Sequence, residues 1–545
     1  MNVTTSGGNL RIRTELLLLV AFCGFLFFYG LGAFGLLGAD EPRYAQIARE
    51  MMDRSDWVTP TLHGKPWLEK PPLYYWEAIL TYRAARAALR EAVTEQTARF
   101  PGAVDATIMV VAIYFFLRRF RPGSELDGAL ITASCAGVIG FAHAAATDMP
   151  LAATFTIALL SWYDWYERRQ RAALATFFLF LALGMLAKGP VAPALAAVIV
   201  LFFAALKRQW NVASRSLWPP GILLFLIVAL PWYVIVQMRN PQFFRFFILE
   251  HNLARFSSNV YHHPQPFWFY LPVFLLALMP WTVWLIAALV ERGRSIRQEG
   301  REAFSSPEDS WALFLLVWTI VPVLFFSASQ SKLPGYILPA VPAAALLVAN
   351  YLAERQQKEI GISWPLAVAH GVLCGGLAFG ALSAGSIAIS HHLVAGKEMY
   401  VSLAIGTVLA LGIGVALVTK GGAGWVRPAT MVAVIAGVAA VIRFAAPAID
   451  TAESARPIAA TIQVFSHEPV PVALYHVNRN TEYGLEFYLN RGVQKYEDGP
   501  APATSHLLVA ASGSGSELRN VLAGRKMSYL ISVPEQKLDL YWIGQ

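Results

Sequence analysis

What most constrains this chain is a succession of apolar runs, each close to the length of a membrane-crossing helix, that recurs from near the N-terminus to about residue 446. A helix needs about 20 apolar residues to cross the hydrocarbon core of a bilayer, and its backbone polar groups must be satisfied internally there. On that scale, spans are expected near 15–37, 101–119, 127–146, 149–166, 172–187, 189–206, 217–238, 267–290, 310–328, 337–353, 364–390, 398–419 and 426–446, thirteen in all. Charged residues are 14% of the chain, where a soluble domain carries roughly 25%. A soluble globular protein, a disordered chain and a nucleic-acid binder are therefore excluded. The net charge of +8 reads instead as cytoplasmic anchoring against anionic lipid. Arg11 and Arg13 precede a first run, Leu16 to Leu37, that is too long for the apolar core of a cleavable signal, so it is expected to remain as a span. Cys23, Cys135 and Cys374 all lie inside apolar runs, which leaves no framework for disulfides.

Basic residues orient the spans. Nineteen Lys and Arg fall in the loops on one side and six in the short turns on the other, the first loop excluded. The N-terminus is thus expected in the cytoplasm and the C-terminus outside. Two segments break the hydropathy pattern. The loop 38–100 follows the first span, and 18 of residues 40–100 are charged. In the tail, apolar runs shrink to strand length, with strands expected at Val470–Val477, His506–Ala511, Met527–Val533 and Leu538–Ile543 and helices at Tyr483–Leu489 and Glu517–Leu522. The expected fold class is an α-helical polytopic membrane protein, with about 13 transmembrane helices and interfacial juxtamembrane helices, plus a small C-terminal α/β domain outside the membrane. Residues 1–446 form the membrane domain and 447–545 the small domain.

The first outer loop holds the densest chemistry. Asp40-Glu41-Pro42-Arg43-Tyr44 suits a helix start, with acids and a proline in the first turn. Tyr44, Ile47, Ala48, Met51 and Met52 then recur at helical spacing, which predicts an amphipathic helix in the membrane interface. The stretch from Lys65 to Trp76 (KPWLEKPPLYYW) has three prolines in seven residues. These fix the backbone and hold Glu69-Lys70 on a rigid turn, which an aromatic belt alone would not require.

These loop motifs, with Lys188-Gly189-Pro190 and the run SKLPGYILP at 331–339, resemble the polytopic GT-C glycosyltransferases. Within that superfamily the likeness is to the lipid A aminoarabinose transferases (ArnT type), relatives of the protein O-mannosyltransferases. It is dense over residues 15–350 and weak over the last three spans and the tail. The resemblance implies a sugar taken from undecaprenyl phosphate at the periplasmic face of a Gram-negative inner membrane. The sugar, 4-amino-4-deoxy-L-arabinose, would pass to lipid A phosphates and confer resistance to polymyxin and cationic peptides. A phosphate leaving group needs fixed cations. The implied donor-phosphate and substrate contacts are Arg43, Lys70, Tyr74, Lys188, Arg255, Lys332 and Tyr336. Lys188 and Lys332 sit in short turns between apolar runs, where snorkelling anchors and phosphate ligands are both physically sensible. Asp40 is the implied catalytic carboxylate, and for a phosphate acceptor, already anionic near neutral pH, it would orient the acceptor or bind the sugar amine. Asp148, a cap of its span or a second acid of the site, joins it.

Glu69 with His251, aided by His262 or His263, offers oxygen and nitrogen ligands for a divalent ion such as zinc or magnesium, although no cofactor is required. There is no D-x-D pattern, in keeping with a lipid-linked donor. Expected partners are that donor, lipid A and membrane lipids, for a monomeric chain. The competing class is a lipid-linked sugar transporter, which would place ionisable groups at mid-membrane depth. Here Asp105, Asp164, Glu398 and Arg443 fall toward the ends of spans, which favours a transferase. Within that class, another polyprenyl-linked sugar and a protein or glycan acceptor remain the alternative.

Overall fold

The computed structural model describes residues 4–89, 93–247, 250, 265–300, 306–390, 392, 396–419, 422–465, 470–522 and 524–544. Eight described helices are long and apolar enough to cross a membrane, or up to ten if each of two sharply bent pairs counts as one span. Thirteen were expected, and the differences have distinct causes. Helix α1 (Thr4–Cys23) runs into a π-helical stretch, Gly24–Phe28, where the first span was placed. The expected span 149–166 lies within a helix that starts at Asp148 and is buried along most of its length in the bundle. The expected span 189–206 is the 17-residue helix Val191–Lys207.

Two expected spans are not straight. Residues 127–146 divide into the short helices Glu125–Ala133 and Ala136–Ala142, bent by 63°, and 267–290 into Phe267–Ala277 and Thr282–Gln298, bent by 114°. Broken backbone at membrane depth must find partners or line a cavity. The two breaks supply each other's: the Ala136 N–H donates to the Met279 carbonyl (2.9 Å), and the Trp281 indole N–H to the Ser134 hydroxyl (2.9 Å).

The loop folds as helix α2 (Asp40–Asp53), a hairpin of β1 (Thr61–Leu62) and β2 (Lys65–Pro66), and helix α3 (Leu73–Leu89). The apolar face of α2 was expected to meet lipid. Instead Tyr44, Ile47, Ala48, Met51 and Met52 are buried in a cluster with Tyr74, Tyr75 and Phe487, so α3 and the C-terminal domain cover it. This burial removes from water the side chains that a lone interfacial helix would give to the bilayer.

In the C-terminal domain, β3 (Val472–Tyr475), β4 (Gln494–Lys495), β5 (His506–Ala511), β6 (Met527–Val533) and β7 (Leu538–Ile543) form one sheet of order β4-β3-β5-β7-β6. The β4-β3-β5 pairings are parallel, and those of β7 are antiparallel. Side-chain alternation gives the sheet two buried faces. Val472, Leu474, Leu507, Val509 and Leu540 pack against Ile458 and Ile462, while Ala473, Leu508, Ala510 and Tyr541 pack against Leu518 and Leu522. The domain is tied to the chain just ahead of α2: the Leu36 N–H donates to the Tyr488 hydroxyl (2.8 Å) and the Gly35 N–H to Asp450 (2.7 Å). Only glycine permits this approach, because a Cβ at position 35 would overlap Ser454.

Candidate active site

At the start of α2 two neighbouring acids face opposite surroundings. Glu41 turns inward to Arg99 of helix α4 (Glu95–Phe120), with Nε–Oε1 at 3.1 Å and Nη2–Oε2 at 2.7 Å. Glu41 also accepts the backbone N–H groups of Leu37 and Ala145, each at 2.7 Å. Arg99 is wholly buried and donates to the carbonyls of Leu31, Phe34 and Gly35 at 2.9, 2.9 and 2.8 Å. A buried ion pair is tolerable only when its remaining donors and acceptors are filled in this way. The pair therefore pins four segments together: the exit of the first span, α2, α4 and the stretch of chain ahead of Asp148.

Asp40 remains half exposed and is paired with Arg43, one turn along. The Arg43 side chain is 7% exposed and reaches Glu69 at 3.9 Å. Its guanidinium lies over the rings of Trp67, Tyr44 and Tyr483, at 5.1, 5.3 and 5.4 Å from their centroids. The proline-rich turn holds Trp67 and Glu69 against it, with the Trp67 N–H donating to the Pro60 carbonyl (2.8 Å). Lys70, next in the turn, is half buried. Tyr74 is fully buried and its hydroxyl donates to the Ala98 carbonyl (2.9 Å), so it fastens α3 to α4. Its neighbour Tyr75 is the ring that lies toward Arg43, Glu69 and Asp40, and burial pushes its phenol pKa up.

A second cluster forms where helix α5 (Asp148–Arg168) begins and helix α6 (Arg171–Lys188) ends. Lys188 Nζ is 2.5 Å from Asp148 Oδ1 and 4.8 Å from the centroid of the Tyr336 ring, with both charged side chains largely buried. Tyr336 lies on the 3-10 turn Pro334–Ala340, beside Gly335, where a Cβ would overlap the Asp148 carboxylate. Lys332, just ahead of the turn, is buried and its ammonium donates to the Ser329 carbonyl. Asp148 thus makes an ion pair with Lys188 in addition to beginning its helix. Arg255 and His251, with His262 and His263, lie outside the described residues. Among the described residues no group of three or more His, Cys, Asp or Glu side chains is placed to hold a metal, and Glu69 faces Arg43.

Glu41 joins the two clusters, since Ala145, whose N–H it accepts, lies three residues before Asp148. Adjoining Glu41 is a largely apolar cavity of about 1010 Å³. Leu37, Gly38, Glu41 and Pro334 contribute to its lining where the chain leads into the two clusters. Its walls include both helix breaks (Ala136 and Met279) and small-residue faces of the helices Trp364–Ser390 and Val426–Ala440. The arrangement offers fixed cations and acids close in sequence to the lining of a largely apolar space. Sequence reasoning missed Arg99, whose signal was an arginine at the lip of an apolar run, and Tyr483, which had none.

The fold is that of the GT-C polytopic glycosyltransferases. It matches the crystal structure of ArnT from Cupriavidus metallidurans bound to undecaprenyl phosphate, with a TM-score of 0.76 over 97% of both chains at 21% identity. It also matches, more distantly, an oligosaccharyltransferase of Archaeoglobus fulgidus, with a TM-score of 0.51 at 12% identity over 94% of this chain and 71% of that one. Residues 69–235 match the family model described as dolichyl-phosphate-mannose-protein mannosyltransferase. The chain belongs to the family of undecaprenyl phosphate-alpha-4-amino-4-deoxy-L-arabinose arabinosyl transferases. It is 31% identical to that of Aeromonas hydrophila over 404 residues, covering 71% of this chain and 69% of the relative. It is 33% identical to that of Pseudomonas aeruginosa over 386 residues, where it spans 65% of the relative's length and 69% of its own.

Proposed function

We propose that this protein transfers 4-amino-4-deoxy-L-arabinose from undecaprenyl phosphate to lipid A phosphate groups at the periplasmic face of the inner membrane. The observation that carries the reading is the pairing of Asp40–Arg43 and Asp148–Lys188 beside an apolar cavity whose lining includes Glu41, next to Asp40, and Ala144, four residues before Asp148. The solved ArnT relative named with undecaprenyl phosphate supports the donor class. In the reaction an acceptor phosphate oxygen attacks the anomeric carbon. The bond from that carbon to the donor phosphate breaks, and undecaprenyl phosphate leaves with the electron pair. Charge grows on the leaving phosphate, so cations already fixed in place lower the barrier without reorganising. Arg43, Lys70 and Lys188 are the cations suited to this, with Tyr336 beside Lys188. Arg255 and Lys332 complete the assignment.

Asp40, half exposed at the head of α2, holds the ammonium of the sugar or orients the acceptor. No strong base is needed, because the acceptor phosphate is ionised near neutral pH. The donor carries its own leaving group, so the reaction requires no cofactor. Placing an amine on lipid A masks negative charge and weakens attraction of cationic peptides.

The test is mass spectrometry of lipid A from a Gram-negative host that makes the donor, with and without this protein. Expression should add the mass of one aminopentose and raise polymyxin resistance. An unchanged lipid A with the donor present overturns the substrate assignment.

A further inference from the structure

The sequence leaves the C-terminal domain without a role, yet among the described residues it places one ring against the site's buried arginine. The Arg43 guanidinium is gripped on its faces by aromatic rings. Tyr44 comes from its own helix and Trp67 from the proline-rich turn, but Tyr483 comes from the helix Arg479–Leu489 of the C-terminal domain. Trp67 and Tyr483 meet edge to face at 6.5 Å, closing the enclosure. Arg43 Nε is buried without a hydrogen-bond partner among the described residues, so the rings supply much of what replaces water around this cation. A guanidinium held by its faces keeps its in-plane N–H edge available for a phosphate.

The helix that brings Tyr483 is itself firmly docked. Glu486 Oε2 lies 2.8 Å from Nε2 of His63 in the hairpin loop, an ion pair when the imidazole is protonated. Arg49 of α2 donates to the Phe487 carbonyl (2.8 Å) and to Asn490 (3.0 Å). On the outer side, Arg479 donates to the Tyr483 hydroxyl (3.2 Å) and lies 5.5 Å from its ring centroid. The ring is therefore aimed at Arg43 from both its own helix and the loop.

We propose that Tyr483 is a positioning residue of the active site: through its ring face it holds the Arg43 guanidinium in register for the phosphate, so that the C-terminal domain completes the catalytic centre. The inference rests on the transferase reading. What matters in this arrangement is the electron-rich face of the ring, not the hydroxyl, and the required readout follows from that.

The test is steady-state transfer by the purified full chain, using a polyprenyl-phosphate-linked aminoarabinose and lipid A. Tyr483→Phe should keep kcat/KM for the donor within about twofold, whereas Tyr483→Leu should lower it on the order of tenfold at an unchanged thermal midpoint, the scale of a desolvated cation–π contact. In an Arg43→Lys background, Tyr483→Leu should add little, because the register it protects is already lost. A series of progressively fluorinated phenylalanines at position 483 keeps the shape and withdraws the ring's negative face, and so reads the effect even if the leucine variant does not fold. Activity should fall stepwise along the series. A flat series, or a Tyr483→Leu loss that multiplies fully with Arg43→Lys, overturns the proposal while leaving an active wild type and the transferase reading intact. A wild-type chain that transfers no sugar to any lipid acceptor removes both.

Discussion

Glu41 and Asp40 are adjacent, and each has an arginine partner, yet the two pairs do opposite work. Glu41–Arg99 is buried, with its remaining donors and acceptors spent on backbone groups of two segments, the exit of the first span and the chain ahead of Asp148. Asp40–Arg43 keeps a carboxylate that is 50% exposed beside a guanidinium held mainly by rings. The first pair is saturated and can bind nothing further. The second has capacity left for a substrate. A single step along the chain thus separates the scaffold from the working groups. Identity of residue type decides less than how many partners each side chain already has.

The largest expected effect comes from breaking the sealed pair. Glu41→Ala or Arg99→Ala strands a buried charge and should destabilise the protein by about 3–5 kcal/mol. It should show as a sharply lower thermal midpoint in detergent and loss of folded protein from membranes. A midpoint equal to wild type would sink the scaffold assignment. Asp40→Asn should do the reverse: transfer falls about 100-fold or more, while the midpoint moves far less than for Glu41→Ala, because Asp40 is half exposed and Arg43 keeps Glu69 at 3.9 Å. Lys70→Ala is expected to behave like Asp40→Asn. Near-normal transfer in both would remove the proposed site. Gly335→Ala falls between these extremes. Its Cβ displaces the Asp148 carboxylate from Lys188, at about 1–3 kcal/mol for overpacking, and transfer should drop even where the protein remains folded. Equal rates with and without the methyl group would separate Asp148 from the chemistry.

The same comparison explains what could be read in advance. Motifs written within one short stretch were legible: the acid-led helix, the proline-rich turn, and strands such as His506–Ala511 that fall at the expected bounds. Their signals are local, a period, a cap or a fixed backbone angle. The bends near Ser134 and Pro280 were not foreseen, because hydropathy sums over about twenty residues and is blind to a break whose orphaned N–H finds its carbonyl in another span. Glu41 reads in the sequence only as an acid in the first turn of a helix, because its partner Arg99 lies 58 residues away. Tyr488 meets Leu36 across 452 residues, and no pattern in either segment announces such a contact. The amphipathic face of α2 was legible as apolar, but its period could not say whether lipid or protein would cover it.

The smallest effect sits where the loop meets the C-terminal domain. The His63 imidazole is raised above its ordinary value of 6.5, first by the hydrogen bond to Glu486, against burial, and then by the charges of Glu486, Glu50 and Glu482. Glu50, on α2, also takes the backbone N–H groups of His63 and Gly64 and the Thr61 hydroxyl, so the acids facing this ring come from both elements packed on it. A raised histidine stabilises the folded state fully below about pH 6.5, and the contribution disappears as pH rises through the folded value. The docked helix that carries Tyr483 should therefore be held more tightly in mild acid than in mild alkali. The thermal midpoint should fall on going from pH 6 to pH 9 by an amount under about 1 kcal/mol, and His63→Gln should flatten that slope. If the slope survives His63→Gln, some other group holds the domain to the loop. If it vanishes and the pH dependence of kcat/KM flattens with it, the contact also tunes Arg43 through Tyr483.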